Sequence, residues 1–131
     1  MTTELYVLSF AAILGLIQLM IATQLSTGQR GVKWNLSPRD QKMPELTGVA
    51  GRMDRAYKNF METFAIFVAA IAVVHLANRL GPISTLGAEL YLAARVLYVP
   101  VYAAGIPVVR TLIWLVSLIG IAMVLYAGLV S

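Results

Sequence analysis

The sequence predicts an all-α integral membrane protein, built as a bundle of four transmembrane helices. Three observations carry this prediction: 60% of the 131 residues are hydrophobic, only 12% are charged, and the apolar residues gather in four long runs. A soluble domain has charged residues at about 25% of its positions, roughly twice the fraction found here. The chain is therefore too poor in charge for a water-facing surface and is expected to lie in a bilayer.

The first two runs meet the length requirement for a span, which is about 20 apolar residues as a helix. Leu5 to Leu25 contains no charged residue, and no basic region precedes it, so it is expected to be a retained span rather than a cleaved signal. Phe60 to Ala77 is interrupted only by Glu62 and His75. Since backbone groups in lipid must be paired internally, each run is predicted to be a helix.

The last two runs are separated by helix-breaking residues. Ile83 to Ala104 contains Glu89 and Arg95, and Val108 to Val130 is uncharged apart from Arg110 just inside its start. Gly-Pro and Gly-Ile-Pro sequences stand before these two runs, as expected where helices end and begin. The predicted organisation is a single membrane domain over residues 1–131, with approximate spans 5–27, 48–79, 83–104 and 107–130.

Charge predicts the orientation of the bundle. Between the first two spans the chain carries seven basic and three acidic residues, a net charge of +4 that equals the net charge of the whole protein. The positive-inside rule places this segment in the cytoplasm and both termini outside. The basic character is thus a topology signal and gives no reason to expect nucleic acid as a partner. The short loops and small size favour a bacterial inner membrane.

Polar residues form a stripe at the start of the second span. Arg52, Arg55, Asn59 and Glu62 follow one another at spacings of three and four, so they share one face of a helix. Ionisable groups inside a span are costly and by default face the bundle interior with partners. The stripe is therefore a candidate binding surface that begins at the headgroups and ends in the hydrocarbon.

A second stripe occupies the third span. Tyr91, Arg95, Tyr98 and Tyr102 recur at helical spacing on one face, and Arg110 opens the next span on the same side of the membrane. Three spans therefore present arginines, tyrosines, an amide and an acid at overlapping depths. Together they predict a polar pocket that opens to the cytosol within an apolar wall.

The pocket's residue types indicate its ligand. Several arginines against one glutamate leave an excess of positive charge, and guanidinium forks suit carboxylates, so the partner should be anionic. Glu62 would accept an ammonium and Asn59 an amide, which together describe a small zwitterionic peptide with extra carboxylates. Arg110 beside a helix N-terminus would lower the pKa of a nearby thiol. With no cysteine and a single histidine in the chain, that thiol would belong to the ligand, and no metal site is expected.

Structural interpretations of the same residues remain open at this stage. The arginines that start the second span could be ordinary cytoplasmic flank residues, and Arg110 could extend to the headgroups. Arg95 could form a buried structural ion pair with Glu62. Tyr98 and Tyr102 could belong to the interfacial aromatic belt. Convergence of these residues on one side of the membrane favours the binding site.

Two motifs resemble a known family. "RMDRAYKNFME", Arg52 to Glu62, is similar to the R-x-x-R-A-x-x-N-x-x-E signature of MAPEG, the membrane-associated proteins in eicosanoid and glutathione metabolism. "YLAARVLYVPVY", Tyr91 to Tyr102, followed by Arg110, resembles the third-helix pattern of its leukotriene-forming and microsomal glutathione transferase branch. One departure is Gly51, which stands where the signature has glutamate.

The resemblance implies a homotrimer that binds glutathione between neighbouring subunits near the cytosolic face. It implies that Arg110 stabilises the glutathione thiolate as the catalytic residue. The glutathione-binding residues that it implies are Arg30 (reaching from the adjacent subunit), Arg52, Arg55, Asn59, Glu62, Arg95, Tyr98 and Tyr102.

The expected function is that of a membrane-bound glutathione transferase, with peroxidase activity as an additional reaction. Glutathione would act as co-substrate and a lipophilic electrophile or lipid would arrive from the bilayer. The alternative is a non-catalytic lipid-binding or scaffold protein of the same fold. A small multidrug exporter is disfavoured, because the first span offers Gln18 and not the glutamate on which such transporters rely.

Overall fold

A computed structural model describes residues 1–130 of the chain, and this part folds into helices joined by short connections. Three of the helices, α1, α3 and α5, are long and apolar enough to cross a membrane. The prediction of an all-α integral membrane protein is therefore confirmed. The helices are α1 Thr3–Arg30, α2 Val32–Leu36, α3 Gly48–Leu76, α4 Pro82–Ala103 and α5 Pro107–Leu129.

The helix count differs from the prediction in two ways. The described chain has five helices, because a short helix, α2, follows α1 directly after Gly31, whose φ of 93° interrupts the helical path. The helix predicted as the third span, α4, is not among the helices apolar enough to cross a membrane. The physical reason is its polar stripe, since Arg95 and three tyrosines are buried along its inner face.

Prolines and glycines set the limits of the last two helices. Pro82 and Pro107 occupy the first turns of α4 and α5, where a missing N–H costs nothing. Gly105 has a φ of 76° and donates its N–H to the Tyr102 carbonyl at 2.9 Å, which ends α4. This short connection brings the end of α4 beside the start of α5. We call this end of the bundle, which also carries α2 and the start of α3, the basic end.

Helices α4 and α5 approach each other most closely through two glycines. A Cβ placed on Gly87 would lie 2.7 Å from the Gly120 carbonyl oxygen, and one placed on Gly120 would lie 2.6 Å from the Gly87 carbonyl oxygen. Small residues of this kind let helix backbones come into contact within a membrane. Beside this crossing the ring of Tyr91 stacks on Phe67, with centroids 4.0 Å apart.

A buried carboxylate joins the helices at the end opposite the basic end. Glu4 is 3% exposed and accepts hydrogen bonds from Ser84 Oγ at 2.8 Å and Thr85 Oγ1 at 3.3 Å. The negative charge lies at the start of α4, where the helix dipole favours it. In the same region Thr2 Oγ1 lies 2.7 Å from His75 Nε2. These contacts fix the lengthwise position of α1 against α3 and α4.

Candidate functional site

An open cleft of about 510 Å³ lies at the basic end, between α3, α4 and α5. Its size falls within the range of small-molecule binding sites. We call it the main cleft. Its lining consists of Arg55, Lys58, Asn59, Glu62, Tyr98, Tyr102, Arg110, Thr111 and Trp114. Six of these nine residues belong to the predicted site: Arg55, Asn59, Glu62, Tyr98, Tyr102 and Arg110.

Helix α3 contributes its stripe to one wall of the cleft. Arg55 donates from Nε to the Tyr102 hydroxyl at 3.2 Å, and its side chain remains exposed. Glu62, two turns further along the helix, is also exposed. Within residues 1–130, one ion pair is closer than 4.0 Å, and it joins Lys58 to Asp54. Neither Arg55 nor Glu62 is therefore neutralised by an ion pair of that length.

Arg95 lies behind this wall rather than in it. It is 1% exposed, donates from Nη1 to Asn59 Oδ1 at 3.0 Å, and places its guanidinium 4.2 Å from the centre of the Tyr98 ring. Its Nε and Nη2 groups are buried without a hydrogen-bond partner. The interpretation as a structural ion pair with Glu62 is therefore wrong for the described chain. Arg95 instead orients two residues that do line the cleft, Asn59 and Tyr98.

The opposite wall is formed by two tyrosines and the start of α5. Tyr98 and Tyr102 are 3% and 8% exposed, with ring centres 5.5 Å apart, so they do not form an exposed aromatic belt. The guanidinium of Arg110 lies 4.7 Å above the Tyr102 ring, a cation–π distance. Arg110 belongs to the first turn of α5, so its charge adds to the positive end of that helix dipole.

Besides Arg95, two more predicted residues lie outside the lining of the main cleft. Arg30 donates to the Pro44 carbonyl at 3.3 Å and lines a neighbouring cavity of about 270 Å³ that shares Arg55 and Lys58 with the cleft. Arg52 donates from Nε to the Ala103 carbonyl at 2.8 Å, which satisfies an orphan acceptor at the end of α4. A single chain therefore does not gather all nine predicted site residues around one space.

Three lining residues were missed by the sequence reasoning: Lys58, Thr111 and Trp114. Lys58 could have been found, since it is three positions beyond Arg55 on the same helix face. Trp114 stands four positions after Arg110, so the same spacing rule applies to it. No polar residue marks that position, because an isolated tryptophan in an apolar span is typical of a packing residue.

The charges around the cleft favour an anion. Among the lining residues, Arg55, Lys58 and Arg110 are positive and Glu62 is negative. Because Lys58 is paired with Asp54 at 3.0 Å, an excess of one positive charge remains. No group of three or more His, Cys, Asp or Glu side chains comes together as a metal-ligand set within residues 1–130. The arrangement can therefore hold carboxylates at its cations and an ammonium at Glu62.

Comparison with known proteins identifies the family. A family model described as MAPEG family matches residues 7–130, nearly the whole chain. No curated protein and no solved structure matches. The family contains glutathione transferases and related enzymes as well as non-catalytic members. The family resemblance drawn from the two motifs is thereby confirmed, and the chain belongs to the MAPEG family of membrane proteins, which act in glutathione and eicosanoid metabolism.

Proposed function

We propose that this protein is a membrane-bound glutathione transferase of the leukotriene-forming and microsomal branch. The observation that carries the proposal is the main cleft, in which Arg55, Asn59, Glu62, Tyr102 and Arg110 surround a space of about 510 Å³. Glutathione has two carboxylates, one ammonium and one thiol. The excess positive charge, the Glu62 carboxylate and the cation at the α5 N-terminus match these groups in type.

The residues have distinct roles in this proposal. Arg55 and Lys58 hold a glutathione carboxylate, Glu62 holds its ammonium, and Asn59 bonds to a peptide group. Arg95 keeps Asn59 and Tyr98 in place from behind. Arg110 and the positive end of the α5 dipole lower the pKa of the glutathione thiol, so that the thiolate predominates near neutral pH. The thiolate is the nucleophile, and the protein supplies position and electrostatic stabilisation.

The proposal includes an assembly. In a homotrimer, α4 would be part of the spanning bundle together with α1, α3 and α5. In such a trimer Arg30 of a neighbouring subunit would reach the glutathione bound in the main cleft, which accounts for its separate place in the single chain. The cleft would open to the cytoplasm, with both termini outside, and lipophilic electrophiles would enter from the bilayer. Reduction of lipid hydroperoxides is a further reaction open to the same thiolate.

An ultraviolet difference spectrum tests the central step. Purified protein mixed with glutathione should show the absorption band of a thiolate at pH 7, and Arg110→Ala should reduce this band while leaving calorimetric glutathione binding detectable. Lys42→Ala is the matched control, because it removes a positive charge from an exposed loop position. Its spectrum should equal that of the unaltered protein.

Two results would contradict the proposal. An unaltered thiolate band in Arg110→Ala would remove the role assigned to that residue. Undetectable glutathione binding by the unaltered protein, in both detergent and nanodiscs, would favour the non-catalytic lipid-binding or scaffold alternative.

A further inference from the structure

The main cleft presents aromatic rings and no aliphatic side chain. Its nine lining residues include Tyr98, Tyr102 and Trp114, but no Leu, Val, Ile, Ala or Met within the part of the chain that the structure describes. Trp114 is the one lining residue without a charge, an amide or a hydroxyl group. A ligand can therefore make apolar contacts inside the cleft chiefly by stacking a flat ring on these aromatic side chains.

Trp114 occupies the position from which an electrophile would approach. It follows Arg110 by one turn on the same face of α5, about 6 Å further along the helix axis and away from the basic end. It packs with Ile113 against a buried cluster formed by Ala56, Tyr98 and Tyr102. This contact holds the indole beside the tyrosine rings. A molecule arriving from the hydrocarbon thus meets Trp114 before Arg110.

We infer that Trp114 is a specificity-determining platform for the electrophile, and that the preferred substrates are flat aromatic electrophiles rather than electrophiles that carry a long alkyl chain. The inference rests on the proposed function, because it assumes a thiolate held near Arg110. A planar acceptor stacks on the indole and tyrosine rings, and such aromatic contacts add to simple area burial. An acyl chain finds no aliphatic wall within the cleft.

A probe reaction shows the chemistry. With 1-chloro-2,4-dinitrobenzene, the glutathione thiol first loses its proton to solvent. The sulfur then donates an electron pair to the ring carbon that bears chlorine, and a carbon–sulfur bond forms while the nitro groups take up the negative charge. The carbon–chlorine bond breaks and chloride leaves with its electron pair. No oxidant or reductant is needed.

The test compares two acceptors on four forms of the full-length protein in detergent. The acceptors are 1-chloro-2,4-dinitrobenzene, which is planar and aromatic, and trans-2-nonenal, which carries a linear alkyl chain. The proteins are the unaltered chain, Trp114→Leu, Trp114→Phe and the control Tyr126→Leu. Tyr126 is 52% exposed near the far end of α5, so its replacement removes an aromatic ring outside the cleft.

The expected result is a change in the ratio of the two kcat/KM values. Trp114→Leu should lower the aromatic-to-linear ratio about three- to tenfold, the discrimination that an aromatic pair provides. Trp114→Phe should retain the ratio to within about twofold, since it keeps a ring. Tyr126→Leu should leave it unchanged. An equal loss for both acceptors in Trp114→Leu, or no loss for either, would overturn the inference.

A binding measurement separates this inference from the proposed function. Calorimetry with glutathione alone reports on the proposed function, since no electrophile is present. If the unaltered protein binds glutathione but Trp114→Leu leaves the aromatic-to-linear ratio unchanged, only the role of Trp114 is refuted. If the Trp114 variants do not fold, inhibition of the unaltered protein by two thioethers decides the question. S-(2,4-dinitrophenyl)glutathione should inhibit about three- to tenfold more strongly than S-hexylglutathione, and equal or reversed potency would overturn the inference.

Discussion

Replacing Gly120 with alanine is predicted to force α4 away from α5. A Cβ at this position would lie 2.6 Å from the Gly87 carbonyl oxygen and 2.8 Å from the Tyr91 backbone nitrogen, whereas ordinary contacts begin at 3.4 Å. Because both obstacles are backbone atoms, they cannot rotate aside. The helices must therefore separate by about 0.8 Å, the difference between 3.4 and 2.6 Å.

The separation has a calculable cost. A gap of this width forfeits roughly a quarter to a half of the dispersion energy of the contacts beside it. Overpacked sites of this kind lose about 1–3 kcal/mol in the free energy of unfolding. Tyr91 also bonds to Thr63 at 3.1 Å and stacks on Phe67, so its displacement would disturb the centre of the core.

Titration with sodium dodecyl sulfate, followed by circular dichroism in micelles, measures this loss. Gly28→Ala is the matched control, because Gly28 lies within α1 and a Cβ there would meet nothing within 4 Å. Since alanine is favoured over glycine within helices by about 0.5–1 kcal/mol, the control should be neutral or stabilising. A Gly120→Ala protein as stable as the unaltered chain would refute the backbone contact between α4 and α5.

Three further predictions concern the two ends of the bundle. Glu4→Gln should lower the free energy of unfolding by about 1–3 kcal/mol in the same titration, because two hydroxyls at the start of α4 lose their anionic acceptor. Asp40→Asn is the control, because Asp40 is exposed. Equal stability of the two variants would contradict the prediction for Glu4. Arg55→Ala should weaken glutathione binding roughly 10- to 100-fold in calorimetry. Arg52→Ala, which removes a bond to the last turn of α4, should chiefly lower stability, by about 1 kcal/mol; an equal loss of glutathione affinity in both arginine variants would contradict this division of roles.

The helices were largely predictable because lipid permits few alternatives. Apolar runs of sufficient length must become helices in a bilayer, so α1, α3 and α5 follow from composition and spacing. Helix α2 did not follow, because its five residues show no apolar period, and it depends on the left-handed conformation of Gly31. The close pairing of α4 with α5 was also hidden, since the sequence alone does not indicate which glycines face each other.

The site was predictable along each helix but not between helices. Helical spacing brought Arg55, Asn59 and Glu62 onto one face, and the structure places them on one wall. Spacing gives no information on depth within the bundle. It therefore did not show that Arg95 lies behind the wall, bonded to Asn59, or that Arg52 turns toward the end of α4.

The buried position of Arg95 connects the fold to the proposed chemistry. A cation in a low-dielectric interior costs several kcal/mol unless charges and hydrogen bonds compensate it. Arg95 has one hydrogen bond, two aromatic faces and two unused buried donors, and no carboxylate of residues 1–130 lies within ion-pair distance of it. Its charge is therefore poorly screened and acts on the adjacent cleft together with those of Arg55 and Arg110. An anion bound in the cleft would offset this cost, so in the proposed function folding and anion binding would support each other through Arg95.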